Sequence, residues 1–221
     1  MSAIAQTQVL DVPSAILQRR SIKTFKSDPI PEEILKQLVE LTVAAPSSFN
    51  MQGWQIILVQ DEAQKAALSA ASWNQQQIVQ APVTFVFAAD PYAGEKDLTP
   101  VYEQALQTGA WNEGTVNYFK NAIPQFQAGL ADKRREYGIK DAIIAATHLV
   151  LAAESLGLST CFMNGWIEEQ VKAVIGAADD PDLAIAVLVP VGYPAEPRLN
   201  PGRLPLSANV SVDRIGNPYQ G

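Results

Sequence analysis

Four short runs of apolar, β-branched and aromatic residues limit the folds open to this chain. They cover residues 55–60, 83–89, 159–163 and 183–191. Short continuous apolar runs are typical of strands that are buried on both faces. Segments with helical periodicity separate these runs, and strands that alternate with helices indicate helices layered on a sheet. The pattern therefore predicts a central sheet flanked by helices.

Helical periodicity and breaker residues place the helices between these strands. We expect helices at residues 13–20, 31–45, 61–68, 73–79, 112–130, 141–156 and 168–175. Pro31 suits the first position of a helix, and Gly157 suits the left-handed residue that ends one. Glycines and Pro124 should interrupt the stretch 112–130. Asn74 and Gln77 stand three residues apart and should share one face of their helix.

The chain ends are expected to extend from a single domain that spans residues 1–221. Residues 1–12 form an N-terminal arm in this interpretation, since they contain neither the cationic start nor the apolar run of a signal peptide. Residues 194–221 are too rich in proline for a helix, although Val210 and Val212 alternate like an added strand. A tail of this kind often wraps a partner.

Composition excludes several kinds of partner. The net charge of −7 disfavours binding to nucleic acid or to an anionic membrane surface. Cys161 is the single cysteine and His148 the single histidine, so neither an intramolecular disulfide nor a Cys/His zinc site is expected. Each apolar run is far shorter than the ~20 residues of a membrane span. We therefore expect a cytoplasmic protein that binds no metal, membrane or nucleic acid.

A basic turn stands out in this acidic chain. Arg19, Arg20 and Lys23 surround the hydroxyl of Ser21. In an extended segment, alternate side chains share a face, so Arg19, Ser21 and Lys23 would point to one side. Charge-assisted hydrogen bonds from such groups hold phosphates well. Basic clusters are also common on solvated surfaces, and the spacing alone leaves both interpretations open.

Motifs of the common nucleotide and hydrolase sites are missing from the sequence. It contains no G-x-G-x-x-G, no G-x-x-x-x-G-K-[ST], no G-x-S-x-G and no H-E-x-x-H. A Rossmann dinucleotide site, a P-loop, an α/β hydrolase and a zincin therefore lose their usual support. The polar loop 45–54, which leads into the first strand, is a better candidate for a binding site.

Four stretches, taken in order, support a more specific interpretation. They are residues 19–25, residues 45–54, residues 152–158 with 163–166, and residues 192–194 with 202–205. Together they resemble the nitroreductase family of FMN-dependent oxidoreductases, from about Pro13 to the C-terminus. One such stretch is a weak signal, whereas four in the order of the family are a strong one.

The resemblance implies an α+β fold of three layers, in which helices flank a central mixed sheet, and an interwound homodimer with two FMN molecules at the subunit interface. Residues 90–140 would form a variable region that shapes the substrate pocket, and residues 194–221 would wrap the partner. The implied activity is hydride transfer from NAD(P)H through FMN to a nitroaromatic or quinone-type acceptor, with ping-pong kinetics. A flavin carrier, a flavin-modifying enzyme and a dehalogenase-type reductase remain alternatives.

The resemblance also implies a set of cofactor-binding residues. They are Arg19, Arg20, Ser21, Lys23, Pro46, Ser47, Ser48, Asn50, Asn74, Gln77, Met163, Asn164, Gly165 and Arg203. The arginines and Ser21 would hold the phosphate, and Lys23 would lie near N1 and O2 of the flavin. The backbone N–H groups of Asn164 and Gly165 would face N5 and O4. No side chain is expected to act as a nucleophile or as an acid/base pair.

The remaining implied residues approach the flavin from other directions. Residues 46–50 match a loop that reaches FMN from the other subunit, and Asn74 matches an amide that reads the pyrimidine edge. Two positions depart from the pattern of some relatives, which have a lysine where Gln77 and Pro201 stand. These departures leave open whether Gln77 replaces a functional lysine.

Overall fold

A computed structural model describes residues 9–221, so the first eight residues of the expected N-terminal arm lie outside the described residues. The strands are β1 (Trp54–Val59), β2 (Val83–Ala89), β3 (Ser159–Thr160) and β4 (Ala184–Gly192). The helices are α1 (Val12–Gln18), α2 (Glu32–Val43), α3 (Glu62–Ala71), α4 (Gln76–Gln80), α5 (Thr99–Gln107), α6 (Glu113–Leu130), α7 (Arg134–Ser155), α8 (Glu168–Val174) and α9 (Leu206–Asn209).

The strands form one sheet in the order β1-β2-β4-β3. Each neighbouring pair runs antiparallel, with Val86 opposite Leu188 at the centre. A mixed sheet was expected, but in the described chain parallel pairing is limited to the isolated bridge between Ser21 and Thr160. The α+β class itself is confirmed. The short third strand covers two of the five residues predicted for it, and Met163 adds one isolated bridge to Leu188.

Helices cover both faces of the sheet, which explains the continuous apolar runs of β2 and β4. Phe85 and Phe87 of β2 face α2 and α7, where they pack in one cluster with Leu38 and Leu149. The alternate residues of β2 and β4 face α3, α4 and α8 in a second cluster. Burial of each large apolar side chain contributes about 1.5–3 kcal/mol. The result is the three-layer arrangement predicted from the sequence.

Two long helices differ from their predictions, α6 in its continuity and α7 in its first residue. Helix α6 runs without a break through Pro124, and Asn112 caps it by accepting a hydrogen bond from the N–H of Thr115 at 2.9 Å. The prediction that this helix would be interrupted is wrong. Helix α7 begins at Arg134 rather than Asp141, because its first turns are polar and lack the apolar pattern of the buried part. None of the helices in residues 9–221 is long and apolar enough to cross a bilayer.

The tail after β4 is exposed along its whole length from Ala195. Contrary to the prediction it includes a short helix, α9. Val210 and Val212 do not add a strand to the sheet within the described chain, and Ser211 pairs locally with Pro218. Apolar side chains project from the tail, with Leu199 95% and Ile215 100% exposed.

Candidate functional site

A cleft of about 310 Å³ gathers basic side chains from both ends of the chain. Arg19, Arg20 and Lys23 come from the turn after α1, and Arg198 and Arg203 come from the tail. We call it the basic cleft. Its remaining lining residues are Ser21, Leu199, Asn200 and Pro201. Arg198 was not predicted from the sequence, because a cation in a proline-rich exposed tail has no local signal that marks it as part of a site.

Backbone pairing with the end of the sheet brings these two segments together. Ser21 bridges to Thr160 of β3, and the N–H of Ile22 donates to the carbonyl of Thr160 at 2.9 Å. Phe25 bridges to Pro194, where the tail leaves β4. Ile22 and Phe25 are buried, whereas Ser21 and Lys23 are exposed. The extended backbone therefore turns the polar residues outward, as their alternation predicted.

The basic cleft has hydrogen-bonding capacity that the described protein groups do not use. Nη1 of Arg19 is buried and has no hydrogen-bond partner in residues 9–221. Nη1 of Arg20 is occupied, because it donates to the carbonyls of Leu17, Gln18 and Arg19 at the end of α1, each at 2.8 Å. A buried donor without an acceptor is costly. An anionic group with several oxygens, such as a phosphate, fits this arrangement of donors.

One partly buried carboxylate, that of Glu154, interacts with two arginines of the cleft. Burial raises the pKa of Glu154 on α7, and the positive charges of Arg19 and Arg20 oppose that rise. Glu154 lies within the sequence stretch 152–158, but its role as a neighbour of the arginines was not predicted. Within residues 9–221, no group of three or more His, Cys, Asp and Glu side chains is placed to hold a metal ion.

A second cluster joins the turn before α4 to the turn after β3. Trp73 and Asn74 have φ angles of 55° and 57°, so they form a left-handed turn and α4 begins after them. The prediction that Asn74 shares a helical face with Gln77 is therefore wrong. Nε2 of Gln75 donates to the carbonyl of Gly165 at 2.9 Å. The structure thus brings residues 73–77 beside the Asn164–Gly165 turn, which follows the buried Met163.

The loop of residues 46–50 is held by contacts remote from the basic cleft. The backbone N–H and the hydroxyl of Ser48 donate to the Asp141 carboxylate at 3.1 and 3.4 Å. Phe49 packs edge-on against Phe119 and Phe126 of α6, with ring centroids 5.4 and 5.2 Å apart. In the described chain, Pro46, Ser47, Ser48 and Asn50 are not among the residues that line the basic cleft. One chain alone therefore does not bring all the predicted site residues together.

The family assignment follows from comparison with known proteins. The model of the Nitroreductase family matches residues 16–193, which span the sheet and every helix from α2 to α8. The chain belongs to the nitroreductase family. Its sequence resemblance and its α+β fold class are both confirmed by this match and by the solved structures below.

Known proteins are similar to this chain over most of its length. A protein of Thermus thermophilus named NADH dehydrogenase is 34% identical over 207 residues, covering 93% of this chain and 98% of its own. A Bacillus subtilis protein named FMN reductase (NADPH) is 29% identical, covering 90% of this chain and 74% of its own.

A solved structure shows the same fold. A protein of Exiguobacterium sibiricum described as a nitroreductase, in complex with FMN, superposes with a TM-score of 0.82 at 23% identity. The superposition covers 94% of this chain and all of that chain. The four-stranded sheet and its flanking helices are therefore the nitroreductase fold.

Asp141 gives the loop of residues 46–50 a predictable pH dependence. Burial raises the pKa of Asp141 above its ordinary value, and its hydrogen bonds from Ser48 oppose the rise. Between the unfolded and the folded pKa, the folded state therefore binds more protons than the unfolded state. The free energy of unfolding consequently falls as pH rises from the unfolded pKa of about 3.9. We expect Asp141→Asn to remove this pH-dependent fall in stability.

The measurement is urea denaturation of wild type and Asp141→Asn from pH 4 to pH 7. The free energy of unfolding of the variant relative to wild type should increase over this range. Asp132→Asn, which alters an exposed carboxylate nearby in the chain, serves as the control and should show no such trend. A relative stability that decreases as pH rises would contradict the raised pKa of Asp141.

Proposed function

We propose that the chain is an FMN-dependent oxidoreductase that transfers electrons from NAD(P)H to nitroaromatic or quinone-type acceptors. Relatives named for NAD(P)H nitroreductase and FMN reductase activities support this proposal, as does the FMN complex of the Exiguobacterium protein. The observation on this chain that carries it is the basic cleft, in which a buried Nη1 of Arg19 has no acceptor among the described residues.

The basic cleft is proposed to hold the FMN phosphate. Arg19 and Arg203 would donate charge-assisted hydrogen bonds, and Ser21 would donate from its hydroxyl, while Arg20 adds positive charge beside them. Each bond to a charged group contributes about 1.5–3 kcal/mol. A phosphate monoester carries close to two negative charges at neutral pH. The cluster of five basic side chains therefore suits a phosphate in a protein whose net charge is −7.

When bound, FMN supplies hydride acceptance at N5 and delivery of electrons to the acceptor. The chain contributes positioning and charge stabilisation. Lys23 is proposed to lie near N1 and O2, where its ammonium stabilises negative charge. The backbone N–H groups of Asn164 and Gly165 are proposed to face N5 and O4, with Met163 supporting their turn and Asn74 reading the pyrimidine edge. A side-chain nucleophile has no part in this mechanism.

The proposed site is completed by a second copy of the chain. An apolar groove of about 440 Å³ lies between α1, α2 and α7, and the nearby side chains of Val12 and Leu41 are 64% and 42% exposed. Exposed apolar side chains gathered in one groove support an interaction site there. A homodimer in which the tail wraps the partner would cover this groove. It would also bring the loop of Pro46, Ser47, Ser48 and Asn50 to the flavin of the other subunit.

Residues 90–140 are proposed to shape the acceptor pocket. Trp111, Phe119 and Phe126 lie in this region, and Phe119 and Phe126 both contact Phe49 of the loop. An aromatic wall beside the loop would favour flat aromatic acceptors. NAD(P)H and the acceptor would use one face in turn, which gives ping-pong kinetics. The buried, unpaired Cys161 suits the reducing cytoplasm as the site of this activity.

The direct test is the visible spectrum of the purified protein. We expect a yellow protein, after incubation with FMN if necessary, whose colour is bleached anaerobically by NADH or NADPH and restored by a quinone. Size-exclusion chromatography with light scattering should give a dimer. A protein that remains colourless with FMN would overturn the proposal. A yellow protein that neither nucleotide bleaches would instead favour the flavin carrier.

Arg203→Ala should raise the FMN dissociation constant at least tenfold. Arg203 lines the basic cleft but is exposed, so its hydrogen bond to a phosphate would be partly weakened by water. A tenfold loss corresponds to about 1.4 kcal/mol. Fluorescence titration of FMN-free protein measures it. Arg214→Ala, which removes an exposed tail arginine outside the cleft, is the matched control, and equal affinities of the two variants would remove Arg203 from the site.

A further inference from the structure

The left-handed turn at Trp73 and Asn74 is strained, because non-glycine residues with positive φ are uncommon and bulky ones rare. Such strain persists where surrounding contacts hold it, and it concentrates at functional sites. The N–H of Asn74 donates to the carbonyl of Ser69 at 2.8 Å, and the hydroxyl of Ser69 donates to the carbonyl of Gln75 at 3.2 Å. These bonds fix the turn.

The turn places Trp73 and Gln75 in contact with Gly165. Nε2 of Gln75 donates to the Gly165 carbonyl, and the Trp73 ring lies so close that a Cβ at Gly165 would come within 2.8 Å of Cζ3. The same Cβ would lie 3.0 Å from Nε2 of Gln75. A side chain at this position would therefore have to displace the Trp73 ring or the Gln75 amide. Since glycine rotates more freely than other residues, its peptide needs outside contacts to keep one orientation.

Gln77 orients the Gln75 amide. Nε2 of Gln77 donates to Oε1 of Gln75 at 3.0 Å, and Gln77 is 7% exposed. An amide whose oxygen accepts from Gln77 must present its nitrogen to Gly165. The three groups form a relay from Gln77 through Gln75 to the Gly165 carbonyl. This relay gives Gln77 a partner other than the flavin, at the position where some relatives have lysine.

The relay leaves neighbouring backbone donors available. Met163 and Ile167 donate their N–H groups to Leu188 and Ala71, at 3.0 and 2.8 Å. Between them, the N–H groups of residues 164–166 have no acceptor among the described residues. The turn is thus tied at both ends and at the Gly165 carbonyl, while its three N–H donors find no acceptor within residues 9–221. Donors held in place before a ligand arrives stabilise charge without reorganisation.

We propose that Gln75 is a positioning residue: through the Gly165 carbonyl it holds the Asn164–Gly165 turn in the orientation that presents its N–H groups to the flavin. This inference rests on the proposed function. Gln75 is not among the residues that line the basic cleft, and its side-chain hydrogen bonds within residues 9–221 join it to Gly165 and Gln77, so its effect should fall on the turn rather than on phosphate binding.

The test compares Gln75→Leu with the control Gln64→Leu, which changes an exposed glutamine of α3. In the FMN-free protein, the ¹⁵N–¹H signal of the Trp166 amide, whose peptide contains the Gly165 carbonyl, should shift or split in Gln75→Leu alone. With FMN bound, anaerobic reduction by the better of NADH and NADPH should slow about tenfold. The FMN dissociation constant should change less than threefold.

Gln77→Leu provides a second variant that tests the relay. It should slow reduction less than Gln75→Leu, and it should have no further effect when Gln75 is already leucine. A Gln75→Leu protein that binds FMN and is reduced at the wild-type rate would overturn the role of Gln75 but leave the proposed function standing. Wild-type protein that binds no FMN would instead overturn the proposed function, and this role with it.

Discussion

Arg19→Ala should weaken FMN binding on the order of a hundredfold, more than any other single change in the basic cleft. The reason is that Arg19 is half-buried and its Nη1 has no acceptor within the described residues. A charge-assisted hydrogen bond at a partly buried site contributes about 1.5–3 kcal/mol, and each 1.4 kcal/mol changes a dissociation constant tenfold. Loss of the positive charge also removes one of the two arginines whose charges offset that of Glu154.

Fluorescence titration of FMN-free protein measures this effect. Lys26→Ala is the matched control, because it removes one positive charge from the same segment at an exposed position outside the cleft. Arg19→Lys should lie between wild type and alanine, since an ammonium keeps the charge but lacks the guanidinium fork. Thermal denaturation without FMN separates folding from binding. If Arg19→Ala and Lys26→Ala bind FMN equally well, the phosphate does not lie in this cleft.

Gly165→Ala should reduce the rate of flavin reduction at least tenfold while the protein still folds. The added Cβ would approach the Trp73 ring to 2.8 Å and Nε2 of Gln75 to 3.0 Å. Trp73 is 66% exposed, so its ring is able to move toward solvent and relieve part of the overlap. We therefore expect a stability loss at the low end of the ~1–3 kcal/mol typical of overpacking. The loss of rate comes from displacement of the turn and of its N–H donors.

Gly129→Ala is the control for this prediction, because the position is helical and, apart from its chain neighbours and the nearby helix backbone, no described atom lies within 4 Å of the added Cβ. It should leave the rate unchanged and slightly increase stability. In the Gly165→Ala background, Trp73→Ala should remove the larger overlap and restore part of the rate. Stopped-flow reduction at saturating nucleotide measures each variant. A Gly165→Ala protein with the wild-type rate would show that this turn does not contact the flavin.

The buried layers of the fold were predictable because their residues have a single favourable environment. The apolar runs at 83–89 and 183–191 suit only strands covered on both faces, and they appear as β2 and β4 within a residue of the expected bounds. The cap Asp61 and the left-handed Gly157 likewise mark helix ends by their chemistry, and both occur in the structure.

Other features depend on tertiary contacts that a local pattern does not carry. Pro124 was expected to break α6, but the packing of this helix outweighs the lost hydrogen bond. Trp73 has a bulky side chain that disfavours positive φ, so the turn at Trp73 and Asn74 was assigned to a helix. Its conformation follows from local hydrogen bonds with Ser69 and from contacts with Gly165, which is distant in sequence. Arg198 joins the basic cleft for a similar reason, since only the path of the tail brings it there.

Because the tail supplies part of the basic cleft, proteolysis of the tail should abolish FMN binding without unfolding the protein. Arg198 and Arg203 lie beyond Pro194, on a segment that is exposed throughout, whereas the sheet and its helical layers are complete by Gly192. A protease that cleaves between residues 195 and 198 and releases the tail would therefore leave a folded body with two fewer basic groups at its cleft. Such a truncated molecule would keep its circular dichroism spectrum and lose its bound FMN and its yellow colour. A colourless preparation with a folded spectrum should therefore be checked by mass spectrometry.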